Sequence, residues 1–152
     1  MKKIALLHYA YPPSMGGVEL LMQDQANVLS DLGYEVTVLT GSGEENNPAI
    51  SLVIEPRLQS ILQQDSTLQQ RFVGEGIIDE VFLAIEEEIY ELLKRHLLHQ
   101  DVIIVHNMAT LIHNLPFLSA FKRFSADHPE KKIIIWAHDQ TYVDEEQIKW
   151  EK

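Results

Sequence analysis

Residues 11–19 have the sequence Tyr-Pro-Pro-Ser-Met-Gly-Gly-Val-Glu, and they join an apolar run to an amphipathic run. Each proline stiffens the exit from the apolar run, because it fixes φ and has no backbone donor. Gly16 and Gly17 favour a tight turn with exposed N–H groups, since neither has a Cβ. If a helix begins here, those N–H groups lie at its N-terminus, where an anion or phosphate binds readily. A strand–turn–helix corner without a ligand is the alternative interpretation.

The segments on either side of this stretch predict a βαβ unit. Residues 3–9 form a continuous apolar run, which is typical of a strand buried on both faces of a parallel sheet. Residues 18–32 repeat apolar side chains at helical spacing, and Gly33 follows as a C-terminal cap. Residues 34–40 are rich in β-branched side chains, which favour a second strand.

The rest of the chain continues to alternate strands and helices. Further strands are predicted at residues 49–54, 101–106 and 132–136. Further helices are predicted at residues 57–76, 77–99 and 109–124. Pro116 either kinks or restarts the last of these helices, and the polar residues 140–152 could begin another. This alternation predicts an α/β fold, a Rossmann-like open parallel sheet with helices on both faces.

Length, composition and charge limit the possible functions. At 152 residues the chain is one domain by size, and no interdomain linker interrupts it. It has no cysteine, which excludes disulfides and cysteine-ligated zinc and favours a cytoplasmic location. Its formal net charge of −11 disfavours nucleic acid and anionic membrane surfaces as partners. The apolar run at the N-terminus is too short for a signal peptide, and no segment reaches membrane-spanning length.

Polar side chains follow three of the predicted strands, at the point where each strand ends. His8 ends the first strand, His106 and Asn107 end the fourth, and His138 and Asp139 follow the fifth. Because ligands of open α/β sheets bind outside the carboxyl ends of the strands, we expect a ligand site where these residues meet. His138 can donate a hydrogen bond to a ligand or orient a reacting group, and Asp139 is the neighbour that would fix its tautomer.

Other sites of this fold class are disfavoured by the motifs that they require. A nicotinamide dinucleotide site needs G-x-G-x-x-G and an acidic residue about 20 positions later, whereas only Gly16 and Gly17 are present and the second strand ends in Thr40-Gly41. Neither a P-loop nor a G-x-S-x-G nucleophile elbow occurs. His106 and His138 would bind a metal only if a carboxylate joined them, so we expect no metal cofactor.

Three blocks of the sequence stand out by their order along the chain. The first is Tyr-Pro-Pro-x-x-Gly-Gly-Val-Glu followed by a helix and by Gly-Tyr-Glu-Val-Thr-Val-Leu-Thr. The second is Asp-Val-Ile-Ile-Val-His-Asn, and the third is Ile-Ile-Trp-Ala-His-Asp. Spread from residue 1 to about residue 142, these blocks resemble retaining GT-B glycosyltransferases. They are similar to the large family-four group, which includes sucrose-phosphate synthases, mannosyltransferases and relatives of glycogen synthase.

The resemblance implies a two-domain enzyme that transfers a sugar from a nucleotide-sugar donor to a carbohydrate or small-molecule acceptor with retention. The N-terminal domain of such enzymes holds the acceptor and closes over the donor. By position, Gly16 and Gly17 would bind the donor diphosphate, and His138 would match the histidine beside the reacting centre. The nucleotide sugar is a co-substrate, so the resemblance implies no separate cofactor.

The resemblance also implies that His106, Asn107 and Asp139 lie on the acceptor or sugar side. Two parts of the family's pattern are missing from these residues: the second domain, which binds most of the nucleotide, and the last part of the first domain before the hinge. We therefore expect residues 1–152 to be a truncated N-terminal domain that is inactive alone. A non-catalytic α/β module that binds a nucleotide or a sugar, and a structural or regulatory domain with an empty crevice, are the alternatives.

Overall fold

The computed structural model describes residues 1–14 and 16–139. In this part of the chain, parallel strands form one five-stranded sheet in the order β3-β2-β1-β4-β5. The strands are β1 Lys3–His8, β2 Glu35–Thr40, β3 Ser51–Ile54, β4 Val102–His106 and β5 Lys132–Trp136. The predicted Rossmann-like α/β fold is thereby confirmed, and every predicted strand is present with its ends moved by at most two residues.

Helices cover both faces of the sheet, as predicted. They are α1 Gly17–Asp31, α2 Ile61–Gln64, α3 Ser66–Gln69, α4 Glu80–Leu97 and α5 Leu115–Asp127. On one face, Met22 and Ala26 of α1 pack against Ile4 and Leu6 of β1. The residues between these on β1 point to the other face, where the buried sides of α4 and α5 form the larger core. β1 is thus buried on both sides, as its apolar run predicted.

The prediction of one helix over residues 57–76 is wrong. This stretch forms a 3-10 turn at Pro56–Leu58, the one-turn helices α2 and α3, and a π-helical turn at Gln70–Gly74. Ser60 accepts a hydrogen bond from the backbone N–H of Gln63, and Asp65 accepts one from the N–H of Thr67. Each side chain therefore caps a new helix start, and such local bonds compete with a continuous helix.

Caps also decide where α4 and α5 begin. Predicted at residue 77, α4 begins at Glu80 because Asp79 Oδ1 accepts hydrogen bonds of 3.1 Å from the N–H groups of Val81 and Phe82. Ile78, which lies within the predicted helix, precedes the observed one and is 71% exposed. Predicted at residue 109, α5 begins only after Asn114, which caps it. Pro116 lies in the first turn, where its missing N–H costs nothing, so it restarts the helix.

β5 is an edge strand with exposed apolar side chains. It pairs with β4 on one side and with no other strand of the described residues. Ile134, Ile135 and Trp136 are 37%, 44% and 42% exposed, so both faces of this strand are open there. The helix considered for residues 140–152 lies outside the described residues. None of the described helices combines the length and apolar character that a membrane crossing requires.

The loop after β2 packs tightly against the glycine loop after β1. The Gly41 N–H donates to Tyr9 O at 3.0 Å, and the Tyr11 N–H donates to Ser42 O at 2.8 Å. A Cβ added at Gly41 would lie 2.6 Å from Tyr9 O and closer still to the backbone N of Gln59. Glycine is therefore required at position 41 by close approach of backbone atoms.

We predict that Gly41→Ala destabilises the protein, whereas Gly17→Ala does not. The new methyl at position 41 must push backbone apart, which costs about 1–3 kcal/mol. A Cβ at Gly17 meets nothing within 4 Å, and alanine in a helix is favoured over glycine by up to about 1 kcal/mol. Urea unfolding of the two variants and the wild type measures both effects. Equal transition midpoints for the two variants would contradict the assignment.

Candidate functional site

The order of the strands reverses between β1 and β4, and the polar strand-end residues meet at this point. The chain runs outward from β1 to β3 and then returns to place β4 on the other side of β1. Ligands of open α/β sheets bind at such a reversal. His8 ends β1 and His106 ends β4, and both side chains are buried. The His8 Nδ1–H donates to His106 O at 3.0 Å, which joins the two strand ends.

A cleft of about 350 Å³ opens at this edge. It is lined by the glycine loop, by strand-end residues and by the α2 segment, among them Gly16, Gly17, Glu19, His8, Asn107, Asp139, Ser60 and Gln63. The rings of His106 and His138 do not contribute to its walls. A larger groove of about 650 Å³ between α4 and α5 has a mostly apolar lining, so of these two sites the strand-end cleft is the one with convergent polar groups.

The glycine loop presents the uncapped N-terminus of α1 to the cleft. Gly16 is the N-cap, and its backbone is extended with φ −139° and offers no side-chain acceptor. Neither Gly16 nor Gly17 has a positive φ, so the expectation that the turn itself needs glycine there is wrong. At Gly17 the missing Cβ leaves open space beside the first N–H groups of the helix, whereas at Gly16 the carboxylate of Glu19 fills that position.

Glu19 occupies part of this space, and its role in the cleft was missed by sequence reasoning. Its carboxylate folds back against Gly16, so closely that a Cβ on Gly16 would collide with it. Glu19 Oε1 also lies 3.6 Å from His8 Nε2. A carboxylate at a helix N-terminus is stabilised by the helix dipole, as a bound phosphate would be. The signal in the sequence was the acid two residues after Gly17.

His106 connects three elements through its ring. Its Nε2 lies 2.8 Å from Oε1 of Gln25 on α1, and its Nδ1 lies 3.0 Å from Nε2 of His138. The two imidazoles are nearly coplanar, with 18° between their planes, as expected for rings bonded edge to edge. The half-exposed ring of Trp136 lies nearly parallel to His106 at 5.5 Å between centroids. Sequence reasoning missed Gln25, which nothing in the local pattern distinguishes.

Asn107 holds the residues that follow β5. Its backbone has φ 58°, a left-handed conformation that asparagine tolerates better than most residues. Its Oδ1 accepts hydrogen bonds from the N–H groups of His138 at 2.7 Å and Asp139 at 3.0 Å. Its Nδ2 donates to Asp139 Oδ2 at 3.1 Å, and its own N–H donates to Trp136 O at 3.1 Å. One side chain thus ties the end of β4 to the end of β5.

The prediction that Asp139 fixes the tautomer of His138 is wrong. The Asp139 carboxylate is bonded to Asn107, whereas the His138 ring is bonded to His106. All five predicted strand-end residues do lie at one edge of the sheet, as the sequence predicted. The sequence did not predict which of them bond to one another.

Burial controls the charge of the two inner histidines. It lowers the pKa of His106 to about 4, with smaller contributions from the neighbouring His138 and His8. It also lowers the pKa of His8, against the opposing effects of the His106 carbonyl and Glu19. His106 is therefore neutral near pH 7, with one ring nitrogen as a donor and the other as an acceptor. Among the described residues, no group of three His, Asp or Glu side chains is arranged to hold a metal ion.

Comparisons with known proteins find similarity to solved structures but none to curated sequences. No family model matches the chain, and no match was found among curated proteins. The crystal structure of WaaG, a glycosyltransferase involved in lipopolysaccharide biosynthesis, is similar with a TM-score of 0.43 and 16% sequence identity. The match covers 87% of this chain and 37% of WaaG, so the chain spans well under half the length of that protein.

We predict that acid weakens the fold through His106. Its pKa is 6.5 in the unfolded chain and about 4 when folded, so the unfolded state binds more protons between these values. The free energy of unfolding should be at its full value above about pH 6.5 and fall by on the order of 2–3 kcal/mol as the pH approaches 4. Urea unfolding from pH 7 to about 4.5 measures this loss.

Urea unfolding over the same pH range in two histidine variants tests whether His106 causes the loss of stability. His106→Gln removes the buried titrating ring, so its pH dependence should be smaller, with a remainder from His8. His99 is exposed, and His99→Gln should behave like the wild type. A pH dependence in His106→Gln as steep as in the wild type would exclude His106 as the source.

Proposed function

We propose that this chain is the N-terminal, acceptor-side domain of a retaining GT-B glycosyltransferase of the family-four group. The reaction would move a sugar from a nucleotide-sugar donor to a carbohydrate or small-molecule acceptor. The observation that supports this most is the strand-end cleft, where the uncapped N-terminus of α1 meets His8, Asn107 and Asp139 at the reversal of strand order. It combines an anion-binding helix end with side chains that bind hydroxyl groups.

The donor diphosphate would bind at Gly16 and Gly17. The first N–H groups of α1 lack a side-chain cap, and the open space over Gly17 admits an anion. A phosphate there would be favoured by the helix dipole and by hydrogen bonds from the backbone. The Glu19 carboxylate competes for the same position, so donor binding would require it to turn away from Gly16.

His138 would contact the donor sugar beside the reacting centre. Its ring is half-buried and hydrogen-bonded to His106, and its backbone N–H is hydrogen-bonded to Asn107. These bonds fix the position of the ring before a ligand binds. Asp139 is exposed at the cleft and would accept hydrogen bonds from sugar or acceptor hydroxyls. His106 and Asn107 are buried and would act by holding His138 and Asp139 in place.

A second domain of the same protein would complete the site. The open edge and exposed apolar side chains of β5 support further polypeptide on this side of the sheet, because parallel sheets are normally covered on both faces. That domain would bind most of the nucleotide and extend the cleft over His138. No metal is required in this proposal, and the cytoplasmic location expected from the cysteine-free composition stays a prediction.

We expect the isolated 152-residue chain to transfer no sugar, because the donor pocket lacks the wall from the second domain. The measurement is release of free nucleotide from a panel of nucleotide sugars, with and without candidate acceptors. Detectable transfer by this chain alone would refute the proposed division of the site.

Saturation-transfer NMR of the complete protein with the same panel identifies the donor. Tight binding without any transfer by the complete protein would instead favour the non-catalytic binding module.

The main test of the proposed function is His138→Ala in the complete enzyme. Loss of a contact made in the transition state lowers turnover by about 10²-fold or more. Loss of a structural hydrogen bond costs about 1 kcal/mol of stability and leaves turnover nearly unchanged. Turnover and thermal unfolding are measured side by side, with the exposed His99→Ala as the matched control. Full activity of His138→Ala would remove His138 from the site.

A further inference from the structure

Gln25 is bonded to a strand-end residue but lies on a helix. It lies in the middle of α1, the helix that covers one face of the sheet, and its amide oxygen is 2.8 Å from His106 Nε2. His106 is in turn bonded through Nδ1 to Nε2 of His138. A side chain of the covering helix is therefore connected to the proposed catalytic histidine through one buried imidazole.

With the amide oxygen of Gln25 facing His106, the chemistry of these groups fixes the direction of both hydrogen bonds. A carbonyl oxygen can only accept, so His106 must donate its Nε2–H to Gln25 Oε1. The buried, neutral imidazole carries a single N–H, which leaves a lone pair on Nδ1. That lone pair can only accept, so His138 must donate its Nε2–H to His106. In a neutral His138 the remaining lone pair is then on Nδ1.

We propose that Gln25 is a positioning residue that sets the tautomer of His138 through His106, so that His138 presents its Nδ1 as a hydrogen-bond acceptor. The tautomer follows from the orientation of the Gln25 amide and the neutral charge of His106, without reference to the proposed function. Only the identity of the group that donates to Nδ1, a sugar hydroxyl, rests on the proposed function. The opposite amide orientation would reverse the chain. Gln25 would donate to His106, His106 would donate to His138, and His138 would present an N–H instead.

Within residues 1–14 and 16–139, the other contacts of His106 do not set its tautomer. His8 bonds to the backbone carbonyl of His106, not to its ring. Trp136 lies nearly parallel to the His106 ring and packs against it without bonding to a ring nitrogen. The amide of Gln25 is thus the group that determines which nitrogen of His106 carries the proton, and hence which nitrogen of His138 does.

Long-range ¹H–¹⁵N correlation spectra of the histidine-labelled protein at about pH 8 report each tautomer directly, since neutral imidazoles differ in their two ring ¹⁵N shifts. We expect the Nε2–H tautomer for both His106 and His138. The Nδ1–H tautomer at either residue of the unsubstituted protein would overturn the proposal. Assignment uses His106→Gln and His138→Gln, each of which removes one set of signals.

Substitutions at Gln25 test the cause. Gln25→Glu keeps an acceptor of the same length, so both tautomers should persist. Gln25→Met keeps the size but removes the acceptor, so His138 should become a mixture of tautomers. Gln23→Met, two residues earlier on the same helix, is the matched control and should leave the spectrum unchanged. An unchanged His138 tautomer in folded Gln25→Met would overturn the proposal.

Activity measurements on the complete enzyme distinguish failure of the role proposed for Gln25 from failure of the proposed function. If both hold, Gln25→Met lowers kcat by about 10-fold or more with little change in KM for the donor, and Gln25→Glu restores most of it. If the complete protein transfers no sugar but the tautomers respond as expected, the proposed function fails and the role of Gln25 stands. If transfer occurs and the tautomers do not respond to Gln25→Met, the role of Gln25 is refuted and the function stands.

Discussion

The position of β1 in the middle of the sheet is the constraint on which the rest of this structure depends. β1 pairs with β2 on one side and with β4 on the other, and it is buried beneath helices on both faces. Because the chain builds outward from β1 in both directions, the strand order must reverse beside it. That reversal opens the cleft, and the carboxyl ends of β1 and β4 bring His8 and His106 together beneath it.

Buried polar groups at this edge form a connected network, since each of them would be costly if left without a partner. Asn107 satisfies the backbone after β5, and the ring of His106 is satisfied by Gln25 and His138. These bonds restrict the conformations of His138 and Asp139 before any ligand arrives. A preorganised edge of this kind is what a site for a polar ligand requires, whether the ligand reacts or only binds.

The carboxylate of Glu19 adds negative charge at the cleft of an already acidic protein. The chain has a net charge of −11, and a carboxylate lies at the helix end proposed for the donor diphosphate. A resident carboxylate there stabilises α1 through its dipole when no ligand is bound. A diphosphate that binds there would replace the Glu19 carboxylate at the same helix end. Because one anion takes the place of another, the electrostatic cost of binding would be smaller than the net charge of −11 suggests.

The sequence by itself determined the α/β class, the five strands and the edge to which the strand-end residues belong. It could do so because buried parallel strands are continuous apolar runs, and because their carboxyl ends share one edge of the sheet. Helix starts at Ser60, Asp65, Asp79 and Asn114 were also encoded locally, as caps, although apolar periodicity concealed them. Only the tertiary structure decided the bonds within the site. Gln25 meets His106 across 81 positions of sequence, and Asn107 meets His138 across 31, and no local pattern specifies a pairing at such separations. These partners are fixed by how α1 packs on the sheet and how β5 aligns with β4, which follow from the packing of the whole core.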